Sequence, residues 1–347
     1  MIHSFFLENT LALTGTQNMN IQTREVNNTS IALIAAARAG NTDEVRALMD
    51  AKADIETRGE FDKTALITAS YAGHTVCAQI LLSAKADLTA RDQHGATALW
   101  WAVSKGHREC AFALLDARAD INGANFPQNT ALIAAADCGY TSSTQFLVDA
   151  KADVDAANQM NDTALIAAAR GRYKDCMQVL LNAKANTEAK NKYQNTALWT
   201  AVSKGDTACV QLLLTAKADV NAGNQLGNTA LIEAANHGHT ACAQALLDAK
   251  GSIDIQNRHG NTALSLAAQN GHSACLNVLL DASADIEIVT RSGDTALIAA
   301  ARKGHPECVR VLIAASADTH AIDKDGRTAL MLAASGGHIE CIHKLLA

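Results

Sequence analysis

The sequence predicts an all-α solenoid of about ten repeats, each made of an α-helical hairpin and a β-hairpin loop. Three observations lead to this fold class. The triplet Thr-Ala-Leu recurs every 33 residues without an insertion or deletion. Hydrophobic residues make up 48% of the 347 residues and aromatic residues only 4%, so the apolar content is largely alanine and aliphatic side chains that suit closely packed helices. Prolines, which interrupt helices, number only two.

The triplet also sets the limits of the repeats. Nine repeats begin with its threonine, and a divergent tenth begins one period earlier, at Ile31. Residues 1–30 precede the repeats and are predicted to form an N-terminal extension that is disordered or partly helical. The repeat region is predicted to span residues 31–347, with repeats beginning near residues 31, 64, 97, 130, 163, 196, 229, 262, 295 and 328.

The repeat that starts at Thr97 shows why each segment takes its predicted form. The Thr97 hydroxyl can accept a hydrogen bond from an amide of the first helical turn, so this residue is a good N-cap. Residues 98–105 are strong helix formers, Gly106 is expected to end that helix, and a second helix is predicted over 107–117. The predicted apolar face of this second helix consists of Cys110, Ala113, Leu114 and Ala117. A polar hairpin follows, and its turn carries glycine at Gly95, Gly227, Gly260, Gly293 and Gly326.

A known repeat motif is matched by this pattern. In one repeat the matching residues are Thr130-Ala131-Leu132, Ala135-Ala136, Gly139, Leu147 and Ala152-Asp153. At these residues the chain resembles the ankyrin repeat family, whose 33-residue unit is a hairpin plus two antiparallel helices. The resemblance implies that partners bind the hairpin tips and the adjoining end of the first helix, which together line a concave face.

The chain departs from the family motif at three points in most repeats. The proline of the motif is replaced by alanine, and the histidine that follows it is also replaced, which removes a hydrogen bond that this histidine gives to the threonine. The glycine that ends the second helix is replaced as well, and a left-handed backbone there would cost each substituted residue about 1 kcal/mol relative to glycine. These positions are Lys52, Lys85, Arg118, Lys151, Lys184, Lys217, Lys250, Ser283 and Ser316.

The candidate partner site follows from placing the family's binding positions on this sequence. At the hairpin tips the candidates are Phe61, His94, Phe126, Met160, Tyr193, Leu226 and His259. At the ends of the first helices they are Tyr71, Lys105, Arg170, Lys204 and His237. Large apolar or aromatic residues at exposed tips are not needed for folding and are typical of interface anchors. Two alternatives stay open: the tips pack back onto neighbouring hairpins, or the lysines only solvate helix ends instead of forming a basic groove for an acidic partner.

Histidine and cysteine recur three residues apart, as in His74 and Cys77, which superficially resembles a series of metal ligands. Core packing is the favoured interpretation, because each cysteine falls on the apolar face of a second helix and each histidine at the junction between two helices. We therefore predict no metal and no cofactor. No phosphate loop or nucleophile elbow is present, so the chain is predicted not to be an enzyme.

Charge, hydropathy and cysteine spacing limit the partners and the compartment. A net charge of −6 with dispersed basic residues does not favour nucleic acid, and no run of residues is apolar enough to span a membrane. Eight of the nine cysteines share one repeat position, where neighbouring sulfurs are too far apart to form disulfides. Unpaired thiols favour a reducing compartment, most simply the cytoplasm, with the nucleus or a host cytosol as alternatives.

The function predicted from the sequence is a protein-interaction scaffold or adaptor, expected to be monomeric. An inhibitor or secreted effector that targets a host protein is the alternative, with residues 1–30 serving export or localisation.

Overall fold

The computed structural model describes residues 28–347, which form twenty helices and no strand. Each repeat contributes two helices. The first helices are α1 (28–39), α3 (Ala65–Ala72), α5 (Ala98–Ser104), α7 (Ala131–Asp137), α9 (Ala164–Gly171), α11 (Ala197–Ser203), α13 (Ala230–His237), α15 (Ala263–Gln269), α17 (Ala296–Lys303) and α19 (Ala329–Ser335). The second helices are α2 (Thr42–Asp50), α4 (Thr75–Ser83), α6 (Arg108–Asp116), α8 (Thr141–Asp149), α10 (Lys174–Asn182), α12 (Thr207–Thr215), α14 (Thr240–Asp248), α16 (Ser273–Asp281), α18 (Pro306–Ala314) and α20 (Ile339–Leu346).

The chain divides into two compact blocks. The amino-terminal block ends at Gln159 and is described from residue 28, and the carboxy-terminal block is Met160–Ala347. Residues 1–27, which make up most of the predicted extension 1–30, lie outside the described residues, so that part of the prediction is untested.

The first helix of each repeat from residue 64 onward begins with a threonine N-cap. Thr97 Oγ1, for example, accepts a hydrogen bond from Trp100 N at 3.3 Å, which confirms the predicted cap. In one repeat a serine supplies a return bond: Thr262 N donates to Ser265 Oγ at 3.0 Å while Ser265 N donates to Thr262 Oγ1 at 3.2 Å. In this capping box, the N3 side chain accepts a hydrogen bond from the backbone N–H of the N-cap. An apolar residue at N3 cannot supply this bond.

The second helices are buried on a slightly different face from the one predicted. In α6 the fully buried residues are Cys110, Ala111 and Leu114, whereas Ala113 and Ala117 are only half-buried. The prediction that Ala113 and Ala117 lie on the buried face was therefore wrong. At 100° per residue, Cys110, Leu114 and Ala111 cover one continuous arc, and Ala113 lies beyond its edge, while Ala117 follows the last helical residue, Asp116. Eight cysteines share the Cys110 position and are buried to 1% exposure or less, which confirms core packing.

The second helices end in a left-handed backbone conformation, the case for which the sequence analysis gave a steric cost. All nine residues that replace the motif glycine have φ between 58° and 69°. At Lys217, φ is 63°, and its N–H donates to Leu214 O at 3.0 Å. The backbone at these positions is thus left-handed although the residues are not glycine, so each of them is sterically strained.

Within each block, helices pack on those of the same or the adjacent repeat. In the amino-terminal block α3 contacts α4 and α5, and α5 contacts α6 and α7. In the carboxy-terminal block α13 contacts α11, α14 and α15 in the same way. Buried alanines such as Ala102 and Ala234 let the first helices approach closely. No helix in residues 28–347 has the length and hydropathy of a membrane span.

Candidate functional site

The hairpin tips are held side by side by backbone hydrogen bonds. In the amino-terminal block Gln93 N donates to Phe61 O at 3.1 Å, and Phe126 N donates to His94 O at 2.8 Å. In the carboxy-terminal block Gln225 N donates to Tyr193 O at 3.1 Å in the same register. The predicted tip residues therefore project from a backbone that is fixed by its neighbours, not from free loops.

Most hairpins are closed by one buried side chain that caps its own turn. Asp92 Oδ1 accepts hydrogen bonds from His94 N at 2.9 Å and from Ala96 N at 3.0 Å. The hairpin of Phe61 lacks this cap because Gly59 occupies the corresponding position. Here Phe61 itself has a left-handed backbone with φ 60°, which is strained for an aromatic residue. Phe61 is thus presented by an irregular turn.

Phe61, Lys63, Tyr71, Trp101 and Lys105 form a cluster that we call the aromatic–basic patch. The Tyr71 and Trp101 rings meet edge to face, with centroids 4.9 Å apart. Lys63 Nζ lies 3.8 Å from the Tyr71 centroid, 4.6 Å from that of Trp101 and 5.9 Å from that of Phe61. Lys105 Nζ lies 5.0 Å and 5.6 Å from the Tyr71 and Trp101 centroids. Both ammonium groups therefore make cation–π contacts with the same two rings.

Trp101 joins the patch to the hairpin of His94. Its indole Nε1 donates to Asp92 Oδ2 at 2.8 Å, and the His94 ring lies edge to face with it at a centroid distance of 6.4 Å. Asp92 therefore caps its turn with one carboxylate oxygen and orients Trp101 with the other. The structure brings together four of the predicted residues here: Phe61, Tyr71, His94 and Lys105.

The charges of the patch are unbalanced. Burial against the rings lowers the pKa of Lys63, and Lys105 and Arg38 add to the lowering while Tyr71 and Asp92 oppose it. Within residues 28–347 neither Lys63 nor Lys105 has a carboxylate at ion-pair distance, whereas Arg38 pairs with Glu60 at 3.2 Å. The patch thus holds two cations that lack anionic partners in the described part of the chain.

The remaining predicted residue of this block, Phe126, is the most exposed of the apolar tips. Its side chain is 68% exposed, compared with 50% for Phe61. One face of its ring packs on the neighbouring turn, because a Cβ placed on Gly95 would lie 2.7 Å from Phe126 Cδ2. Phe126 therefore leans on the adjacent hairpin and still offers most of its surface to solvent.

The carboxy-terminal block holds the other predicted residues, which are aligned along the hairpins and not gathered into one cluster. Tyr193 and Leu226 are 50% and 49% exposed at their tips, and Met160 is half-buried. His259 and Lys204 are exposed. Only part of each apolar tip is thus covered by its own hairpin.

Two predicted residues at the first-helix ends of this block are engaged in ion pairs. Arg170 Nη1 lies 2.5 Å from Asp162 Oδ2, and His237 Nε2 lies 3.0 Å from Glu233 Oε1. Burial raises the pKa of Glu233, an effect that His237 partly opposes. These residues are tied to their own block and are less available to a partner than Lys63 and Lys105 are.

A charged depression of about 550 Å³ lies among the last hairpins. Arg302 Nη2 bonds Asp294 Oδ1 at 2.5 Å and Asp323 Oδ2 at 3.0 Å, and Arg327 Nε donates to Asp323 Oδ2 at 2.9 Å. Desolvation acts to raise the pKa of Asp323, but hydrogen bonds from Arg327 and Arg302 outweigh it and hold this pKa well below its usual range. The arginines of this depression are balanced by their own carboxylates.

Comparison with protein families identifies the family to which the chain is assigned. The family model of ankyrin repeats in three copies matches at residues 7–92, 33–125, 90–158, 132–224, 198–290 and 282–347. The chain belongs to the ankyrin repeat family. Ankyrin repeats generally mediate protein–protein interaction and are typically non-enzymatic modules. A search of curated proteins finds no significant match.

Three residues at or beside the aromatic–basic patch were missed by sequence reasoning: Lys63, Trp101 and Asp92. A signal for two of them was present in the repeat alignment. Lys63 stands where the next repeats have Ala96 and Asn129, and Trp101 stands where Ala134 follows it one period later. A bulky or charged residue at a position that is small or neutral in neighbouring ankyrin repeats could have indicated a specialised surface.

The recurring histidines of the ankyrin repeats bridge backbone groups, as the sequence predicted. His107 Nε2 donates to Tyr71 O at 3.2 Å, and His272 Nε2 donates to Asn236 O at 3.2 Å. In residues 28–347 no three potential metal ligands lie together. Each of these histidines connects its own repeat to the preceding one.

Proposed function

We propose that the chain is a scaffold or adaptor that binds a protein partner across its hairpin tips and first-helix ends. The observation that carries this proposal is a set of apolar side chains exposed by about half or more on hairpins fixed by hydrogen bonds: Phe61, Phe126, Tyr193 and Leu226. Rigid aromatic anchors lose little entropy on binding and dominate interface energies. A catalytic role is not proposed.

The test compares the partner binding of a variant that lacks two anchors with that of a variant that lacks an aromatic residue elsewhere. Phe126→Ala combined with Tyr193→Ala is expected to weaken binding of a partner identified by photo-cross-linking at residue 126, by about tenfold or more. Helical content and melting temperature should stay nearly unchanged, because both side chains are largely solvent-exposed. Phe112→Ala on α6 is the control, since Phe112 is 45% exposed on a second helix. Equal affinity of the double variant and the wild type would remove these tips from the site.

We further propose that the protein is a monomer that works in the cytoplasm. A reducing compartment is supported by seven buried cysteines that form no disulfide in the described part of the chain: Cys77, Cys110, Cys209, Cys242, Cys275, Cys308 and Cys341. The inhibitor or effector alternative depends on residues 1–30, most of which lie outside the described residues. The scaffold and effector hypotheses are separated by comparing the full chain with a chain that starts at Asn28. If the protein is an effector, the shorter chain should bind the same partners but no longer reach the same cellular location.

A further inference from the structure

The aromatic–basic patch is not required by the repeat architecture. Lys63 precedes the N-cap threonine, a position where Asn129, Asn195 and Asn228 serve equally well in other repeats. Trp101 is on the first helix, where Ala134 occupies the same position. A tryptophan and a lysine that the fold can replace by alanine and asparagine point to a role beyond packing.

The nearby acidic groups do not neutralise the two lysines. Asp92 is buried, and its oxygens accept from Trp101 Nε1 and from two backbone amides. Glu60 pairs with Arg38, and the exposed Asp62 forms no ion pair with either lysine. Lys63 is also held partly out of water by the Tyr71 and Trp101 rings. An incoming carboxylate would find both cations unpaired and one of them already desolvated, which strengthens the attraction.

The two lysines are close enough for one acidic side chain, or two adjacent ones, to approach both. The two ammonium nitrogens lie 3.8 Å and 5.0 Å from the same Tyr71 ring centroid, so they are less than about 9 Å apart. Phe61 is half exposed beside Lys63, and His94 is exposed beside Trp101. An extended peptide could therefore place a carboxylate between the lysines and an apolar side chain against Phe61.

We propose that the aromatic–basic patch recognises an acidic, partly apolar segment of a protein partner, with its carboxylate between Lys63 and Lys105. This inference rests on the proposed protein-binding function and narrows it to one partner chemistry at one place. Nucleic acid is the less favoured ligand, because only two cations are available and the whole chain carries a net charge of −6. The same net charge disfavours general attraction of acidic peptides, so a preference for them must arise locally.

The experiment measures charge preference directly. The full chain is applied at 0.15 M salt to an array of twelve-residue peptides that are matched in apolar content and graded in net charge. The wild type is expected to retain acidic peptides best. Lys63→Asn combined with Lys105→Asn should lower that retention about fivefold, because both unpaired cations are lost. Asparagine occurs at the corresponding positions of other repeats, at Asn129 and Asn270, so the fold tolerates it.

The control variant carries the same change in net charge elsewhere in the same block. Lys85→Asn combined with Lys151→Asn alters two exposed residues at second-helix ends, where asparagine tolerates the left-handed backbone. This variant should retain acidic peptides within about twofold of the wild type. Circular dichroism and melting temperature verify that both variants are folded.

Three results would overturn the inference: no preference for acidic peptides, equal retention by the patch variant and the control, or displacement of the acidic peptides by a twelve-nucleotide RNA. None of these affects the proposed function, which fails separately if Phe126→Ala with Tyr193→Ala binds its partner as the wild type does.

Discussion

At the residue scale, the most regular departure from the ankyrin motif is a non-glycine residue in a left-handed conformation. Six lysines, one arginine and two serines hold φ between 58° and 69° at the ends of second helices. The sequence identified these positions and the cost of a left-handed backbone there, but the conformation itself is seen only in the structure. Each such residue strains the native state and leaves stability that substitution can recover.

Lys217→Gly is expected to stabilise the protein by up to about 1 kcal/mol, because the left-handed strain relieved at φ 63° exceeds the freedom that glycine adds to the unfolded chain. Lys204→Gly is the matched control: Lys204 caps α11 with φ −91°, so glycine there only adds freedom to the unfolded chain and should destabilise by up to about 1 kcal/mol. Urea denaturation of both variants measures the difference. Destabilisation by Lys217→Gly would show that left-handed strain is not the dominant contribution at this position.

A second residue-scale prediction concerns Glu233, which occupies a buried position of α13 where α7 and α17 have alanine. Because burial raises its pKa above the unfolded value, the folded state binds a proton more readily than the unfolded state does. Its contribution to stability is therefore present below the unfolded pKa of about 4.3 and is lost as pH rises through the folded pKa. Glu233→Gln should match the wild type near pH 4 and have the higher melting temperature near pH 7. Thermal melts from pH 4 to pH 8 measure this difference, and a constant one would contradict the prediction.

The residues of the patch show where sequence reasoning stopped. Tyr71, Lys105 and Phe61 were predicted from repeat position, yet nothing in the period indicates that Lys63 lies over Tyr71 and Trp101. The turn just before Lys63 is also irregular, because Gly59 stands where most hairpins have their capping side chain. The conformation of this turn reflects a single residue, Gly59, and therefore could not be predicted from the helix periodicity.

At the scale of the elements, histidine and glycine connect successive repeats. The histidine before a second helix donates to a carbonyl 36 residues earlier: His305 Nε2 lies 3.0 Å from Gln269 O, and His338 Nε2 lies 3.2 Å from Arg302 O. Its ring also packs on the glycine that ends the preceding first helix, at Gly271 and Gly304 respectively. Helix limits were predicted to within about a residue because they follow the repeat, whereas this ring–glycine contact became visible only in three dimensions.

Gly304→Ala and Gly337→Ala separate two roles of this glycine: it adopts a positive φ, and it leaves room for the histidine ring. Both residues have a positive φ, 74° and 70°, so both variants pay a backbone cost of about 1 kcal/mol. A Cβ on Gly304 would lie 2.5 Å from His338 Nδ1, while nothing lies within 4 Å at Gly337. We therefore expect Gly304→Ala to be more destabilising by at least about 1 kcal/mol in urea denaturation. Equal losses would mean that the His338 ring moves aside freely.

At the scale of the whole molecule, each block is a one-dimensional array. In the carboxy-terminal block, the closely packed pairs among helices α9 to α20 belong to the same repeat or to adjacent repeats. Local contacts of this kind make stability a sum of repeat and interface contributions. A change at one interface is consequently expected to act on the adjacent repeats first.

Hydrogen exchange in the full chain tests this coupling. Gly304→Ala weakens the interface between the repeats of α17 and α19, so amides in α17 to α20 should exchange faster than in the wild type, by about tenfold for each 1.4 kcal/mol lost. Amides in α9 to α12 should keep their protection, because these helices pack closely on their own and adjacent repeats and not on α17 to α20. Gly337→Ala, which lacks the histidine contact, should produce the smaller change. If α9 to α12 lost protection as strongly as α17 to α20, the carboxy-terminal block would open as a single unit, and stability could not be assigned to individual repeats.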